Sequence, residues 1–120
     1  MKKALLLVSI LFVSIATTAC INNLAVQELN TKAKAYLDAG NYQEAIERLK
    51  SSIDLDDTIF ETHYNLAVAY TNNEDYANAI ESYQKAIELN GGDFWTYNNI
   101  ATAYYKKEEV TADTSDLLDE

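Results

Sequence analysis

The chain has 120 residues, with 9 basic and 19 acidic side chains, 48% apolar and 11% aromatic residues, no proline, one cysteine and one histidine. The first 19 residues read as a removable leader. The roughly 100 that remain make one small domain and exclude two independent domains or a large enzyme with its own cofactor-binding half. Lys2 and Lys3 fall in the leader, so the rest carries 7 basic against 19 acidic residues, a net charge of −12, which argues against a basic nucleic-acid-binding groove.

The apolar fraction is too high for a charged disordered tail, and the absence of proline favours uninterrupted helices. One cysteine cannot form a disulfide within the chain, and one cysteine with one histidine is a poor start for a zinc site.

The leader begins with Lys2 and Lys3 and continues as an apolar run from Ala4 to Ile15, the pattern of a secretion signal and too short to span a bilayer comfortably. Thr17, Thr18 and Ala19 then lead directly to Cys20. This resembles the lipobox of bacterial lipoproteins, with Thr17 where that motif usually has leucine. The resemblance implies a diacylglyceryl group on the Cys20 sulfur, removal of residues 1–19, and acylation of the new amino terminus with chains such as palmitate. Several acyl chains, at about 0.8 kcal/mol per buried methylene, anchor a protein where one would not. The competing reading is plain secretion with cleavage after Ala19. Ile21 stands where an aspartate would, by resemblance to enterobacterial lipoproteins, imply retention in the inner membrane. The expected location is therefore the cell envelope, on the outer membrane facing the periplasm where the source has one. Residues 20–25 are then the lipidated terminus and a short tether.

Sliding the chain by 34 residues aligns Ala33 with Ala67 and Ala101, and Tyr36 with Tyr70 and Tyr104. It also aligns Tyr42 with Tyr76, Ala45 with Ala79, Ile46 with Ile80, Ile53 with Ile87, and Leu55 with Leu89. Apolar residues recur at three- and four-residue spacing, as in Tyr42, Ala45, Ile46, Leu49 and Ile53, and mark one face of a helix. The alanines allow close approach of two backbones, so each pair of segments predicts a helical hairpin. Helices are expected at about 23–39, 42–54, 58–72, 76–89 and 93–107. Asn41 with Glu44 reads as a capping box, Asp75 and Asp93 as further caps, and Gly40 and Gly91-Gly92 as turns.

Thirty-four is the period of the tetratricopeptide repeat, and the chain resembles that family through specific residues. Its first-helix pattern appears as His63, Leu66, Ala67 and Tyr70, as Tyr97, Ile100, Ala101 and Tyr104, and more weakly as Leu29, Lys32, Ala33 and Tyr36. Its second-helix pattern appears as Ala45 with Leu49 and Ala79 with Tyr83, while Asp57 and Gly91 replace the usual proline and suggest looser turns. The resemblance implies an all-α fold: antiparallel helix-hairpin repeats in a short right-handed solenoid of about two and a half repeats. The domain then spans 26–107, with repeats at 26–59 and 60–93 and a terminal helix at 94–107. Residues 108–120 form an acidic tail expected to be disordered or frayed.

The chemical inventory calls for no catalytic residue, metal or cofactor. His63 is expected to pack rather than react, Cys20 has no neighbouring base, and Glu44 and Glu47 lie on a solvent face. What remains is surface. The family resemblance implies a groove lined by the first helix of each repeat, here offering Asn30, Lys34, Tyr64, Asn65, Trp95, Asn98, Asn99 and Tyr105 to a protein or peptide ligand. Asn65 and Asn99 are one repeat apart and are expected to project in parallel, each amide free to bond a peptide backbone. A full clamp for a terminal carboxylate needs more cations than Lys34 and Lys106. Of the aromatic residues of the fifth helix, Phe94, Tyr97 and Tyr104 are expected to be buried, while Trp95 and Tyr105 face elsewhere. The expected role is a membrane-anchored binding adaptor, and the alternative is a structural homodimer built through that aromatic helix.

Overall fold

The computed structural model describes residues 1–91 and 93–118. Among them are five helices and no strand: α1 (Lys2–Asp38), α2 (Tyr42–Leu55), α3 (Phe60–Asn72), α4 (Tyr76–Asn90) and α5 (Phe94–Leu118). α1 packs on α2 and α3 on α4 as hairpins, while α3 also lies on α2, and α5 on α4. The expected all-α solenoid forms, and the inner helix boundaries fall within about two residues of those expected.

Two outer boundaries differ. α1 starts at Lys2 and passes through the leader, Cys20 and the supposed tether without a break, because residues 2–38 contain neither glycine nor proline. Residues 1–24 are all exposed and project from the repeats, giving extents of 80 × 29 × 28 Å. As one 37-residue helix, α1 is long and apolar enough to cross a membrane, which its apolar run alone is not. At the other end, the expected tail is helical to Leu118, since Glu108, Glu109 and Ala112 are good helix formers and no breaker follows Tyr97. Gly92, Asp119 and Glu120 lie outside the described residues.

The core is two successive layers. Ala33 of α1 meets Ala45, Ile46 and Leu49 of α2 and Leu66 and Ala69 of α3. Ala67 of α3 meets Ala79, Ile80 and Tyr83 of α4, which in turn meet Ile100 and Ala103 of α5. Ala33, Ala45, Ala67 and Ala79 are fully buried, as the close-approach argument requires. Ala101 is exposed, because the helix that would cover its position is absent from the described residues.

The turns repeat as faithfully as the helices. In the first hairpin the Gly40 N–H donates to the Leu37 carbonyl and the Asn41 N–H to the Tyr36 carbonyl, at 3.0 and 2.8 Å. In the second, Glu74 donates to Thr71 and Asp75 to Tyr70, at 3.1 and 2.9 Å. Both turns need a left-handed residue, Gly40 at φ 77° and Glu74 at φ 61°, and only the first uses glycine.

The turns lacking proline are pinned rather than loose. His63 Nε2 bonds the Asp57 carbonyl at 2.8 Å, and 34 residues on the Tyr97 hydroxyl donates to the Gly91 carbonyl at 3.0 Å. A carbonyl only accepts, so His63 carries its proton on Nε2. Asp56 adds bonds from the Thr58 N–H and hydroxyl, which hold its carboxyl below the usual range. The caps divide likewise. Asp75 accepts from the Asn78 N–H and Asp93 from the Thr96 N–H, whereas the Asn41 side chain makes no cap bond and the expected capping box does not form.

Candidate functional site

α1, α3 and α5 lie side by side, and two hydrogen bonds between them mark the seams of the face they share. The Asn30 amide donates to the Thr62 hydroxyl at 2.9 Å, joining α1 to α3. The Asn99 amide donates to the Tyr64 hydroxyl at 3.0 Å, joining α5 to α3. Tyr64 is further fixed by a stack on Phe60, with centroids 5.8 Å apart, and an edge contact with Tyr83 at 5.9 Å.

These bonds sort the eight expected groove residues into two groups. Asn30, Tyr64 and Asn99 are half-buried and spend polar atoms on neighbouring helices, with the Asn30 Oδ1 buried and unpartnered among the described residues. Asn65 is half-buried, Lys34 and Asn98 are exposed, and among the described residues their side chains enter no hydrogen bond or ion pair. Trp95 and Tyr105 are each 65% exposed. The expected parallel pair is therefore broken: Asn65 offers its amide, but Asn99 has given its own to Tyr64. The reason is reach. The pair equivalent to Asn99 and Tyr64 is Asn65 and Asn30, and asparagine lacks the ring that carries a tyrosine oxygen across the seam.

Thr62 and Thr96 are buried hydrogen-bonding residues that the sequence reading missed. Both are fully buried, Thr62 receiving Asn30, and Thr96 donating to Asp93 Oδ1 at 2.7 Å. The Thr96 hydroxyl and N–H hold the Asp93 carboxyl below its ordinary pKa. Their 34-residue separation was the available signal. Phe60, too, was legible only through its stack.

On the opposite side of α3, a cavity of about 420 Å³ opens between α2 and α4 over His63, Leu66 and Tyr70, with Lys50, Asp54 and Glu81 on its walls. At 100° per residue, these floor positions point away from Asn65 and Val68. Burial, with Asp75 and Glu81 nearby, raises the Tyr70 pKa, so the phenol stays neutral. The five aromatic residues of α5 are all exposed, including Phe94, Tyr97 and Tyr104, at 74%, 52% and 45%. α5 buries Thr96, Ile100 and Ala103 instead, one turn-edge away from the expected stripe.

The family descriptions "Tetratricopeptide repeat" and "TPR repeat" match residues 60–93 and 33–74. Residues 33–93, just over half of the chain, belong to the tetratricopeptide-repeat family. Solved structures agree in fold. The first TPR domain of Spaghetti (RPAP3), bound to the HSP90 peptide SRMEEVD, is 24% identical with a TM-score of 0.67, covering 73% of this chain and 70% of that one. The second TPR domain of the same protein, bound to the same peptide, is 22% identical with a TM-score of 0.70, covering 82% and 92%. MamA is 26% identical with a TM-score of 0.66 over 69% of this chain, which spans about half of MamA. No curated protein matches the chain in sequence.

Proposed function

We propose that the protein is a non-enzymatic adaptor of the bacterial envelope, held to a membrane by lipid on Cys20. Its TPR face, made by α1, α3 and α5, takes an extended, uncharged segment of a partner protein. The observation that carries this reading is the set of unspent polar groups on that face. The amides of Asn65 and Asn98 can each donate to and accept from a peptide backbone, with Trp95 and Tyr105 beside them for apolar side chains. The Spaghetti domains hold a peptide with an acidic end. Among the described residues Lys34 enters no ion pair, Lys106 is paired with Glu109 at 2.9 Å, and Trp95 projects where a carboxylate clamp would want a cation, so a neutral segment is the better fit.

The anchor reading is supported by the place of Cys20, exposed and directly after the apolar leader. Ile21 at the following position favours the outer membrane, facing the periplasm, in a source that has one. Assembly of an envelope machine is the setting that suits a short peptide-holding module on a membrane.

Two measurements test the parts separately. Labelled palmitate should enter the wild-type chain and not Cys20→Ser. Affinity capture from crosslinked envelopes should recover one prominent partner, lost with Asn65→Ala combined with Asn98→Ala. Those substitutions touch no internal bond, so a partner retained by that variant would remove the groove from the account.

A further inference from the structure

α5 is buried on one side only. Ile100 and Ala103 pack against α4 and Thr96 is buried, while Phe94, Tyr97, Ala101, Tyr104 and Tyr105 form an open flank. Thirty-four residues earlier, the same flank of α3 is covered by α4, and Ala67, equivalent to Ala101, is fully buried against Ala79, Ile80 and Tyr83. The open flank is thus one half of a hairpin interface, small at its centre and bulky on either side. α5 continues to Leu118, so residues 106–118 extend the helix instead of folding over the flank.

We propose that a second copy of the chain covers this flank, its α5 lying antiparallel across Ala101. Each α5 then serves the other as the second helix of its third repeat. A two-fold axis at Ala101 sets alanine against alanine, as Ala67 meets Ala79, and brings Tyr97 of each copy opposite Tyr105 of the other.

Three features select a second copy. Two phenols of the flank already bond within the chain: Tyr97 donates to the Gly91 carbonyl at 3.0 Å, and Tyr104 accepts from Gln84 Nε2 at 2.9 Å. Covering these two rings therefore leaves both oxygens partnered. The four aromatic side chains, each roughly half to three-quarters exposed, leave on the order of 500 Å² per copy. A symmetric pair therefore buries roughly 1,000 Å², where specific interfaces begin. Charge permits self-approach as well: in a chain of net charge −10, residues 94–107 hold two lysines and no acid. This surface meets the binding face at Tyr105 but lies apart from Asn65, and the pairing does not depend on what the groove holds.

The test uses the full chain in its membranes, with p-benzoylphenylalanine substituted for Tyr105. Irradiation should give a band at twice the chain mass, with the crosslink mapped to α5 of the other copy. Ala101→Glu should lower the yield at least about tenfold by placing a charge in the contact. Because Ala101 is exposed in a single copy, the thermal melt of that variant should match the wild type in detergent at protein concentrations low enough to keep both unpaired, which separates lost pairing from lost folding. Asn65→Ala with Asn98→Ala should leave the doubled band intact. A doubled band that survives Ala101→Glu would place the pairing on another surface and overturn the proposal. So would a crosslink only to another protein or outside α5, or no doubled band at all.

Discussion

Leu66, Ala67 and Ala69 of α3 are 6%, 0% and 0% exposed, whereas at the same repeat positions of α5 Ile100 and Ala103 are buried and Ala101 is open. The two helices carry nearly the same pattern and differ in what lies beside them. α3 packs on both α2 and α4, while α5 packs on α4 and is joined to α3 by the Asn99–Tyr64 hydrogen bond. In a stacked fold, a residue's burial is a property of its neighbouring repeat as much as of its own helix. The backward-facing positions are filled in both helices; the forward-facing ones are filled only where a further helix follows.

That contrast can be broken most severely at the aromatic residues. Tyr83, 2% exposed in the layer shared by α3, α4 and α5, should cost about 3–5 kcal/mol when changed to alanine. Tyr105→Ala, at an exposed site, should stay within about 0.5 kcal/mol, with both read by urea denaturation of the full chain in detergent at low protein concentration. Ala67→Leu should overpack the second layer at a cost of about 1–3 kcal/mol, whereas Ala101→Leu under the same conditions should be near neutral within about 0.5 kcal/mol. Equal losses at positions 67 and 101 would mean that α5 is covered even in a single copy.

The turns sharpen the comparison with a change of opposite sign. Glu74→Gly should stabilise the second hairpin by about 1 kcal/mol, since it relieves a left-handed residue that Gly40 accommodates freely. Gly40→Glu should be the mirror loss, and both are read as melting-temperature shifts. The smallest effect belongs to the α5 cap. Its folded pKa lies below the ordinary 3.8, so the Asp93 contribution is complete above that value and is lost as the pH falls through the lowered one. Asp93→Asn, which caps without titrating, should flatten that part of the acid profile, checked by melts between about pH 2 and pH 5.

The period made most of the fold legible: Ala33, Ala45, Ala67 and Ala79 could be placed face to face from spacing alone. The exposure of Ala101 could not, because nothing within α5 records whether another helix covers it. Helix ends were legible where a breaker stands, as at Gly40 and Gly91, and not where good helix formers run on, as from Cys20 into Val26 or past Lys107. In the groove, residue types were readable but their commitments were not. Whether Asn99 faces a ligand or Tyr64 turns on the length of the side chain one helix away.

The unbroken course of α1 has a directional consequence. Cys20, Gln27 and Lys34 are seven residues apart, and at 100° per residue they stay within about 40° of one line along the helix. Any group carried by the Cys20 sulfur is therefore aimed to the same side as the first column of the binding face, and Lys34 stands only about 21 Å further along. With no joint between them, the helix acts as a fixed bracket. A surface gripping Cys20 would dictate the direction from which a ligand enters, and a single glycine inserted between Ile21 and Ala25 would loosen that aim without touching either site.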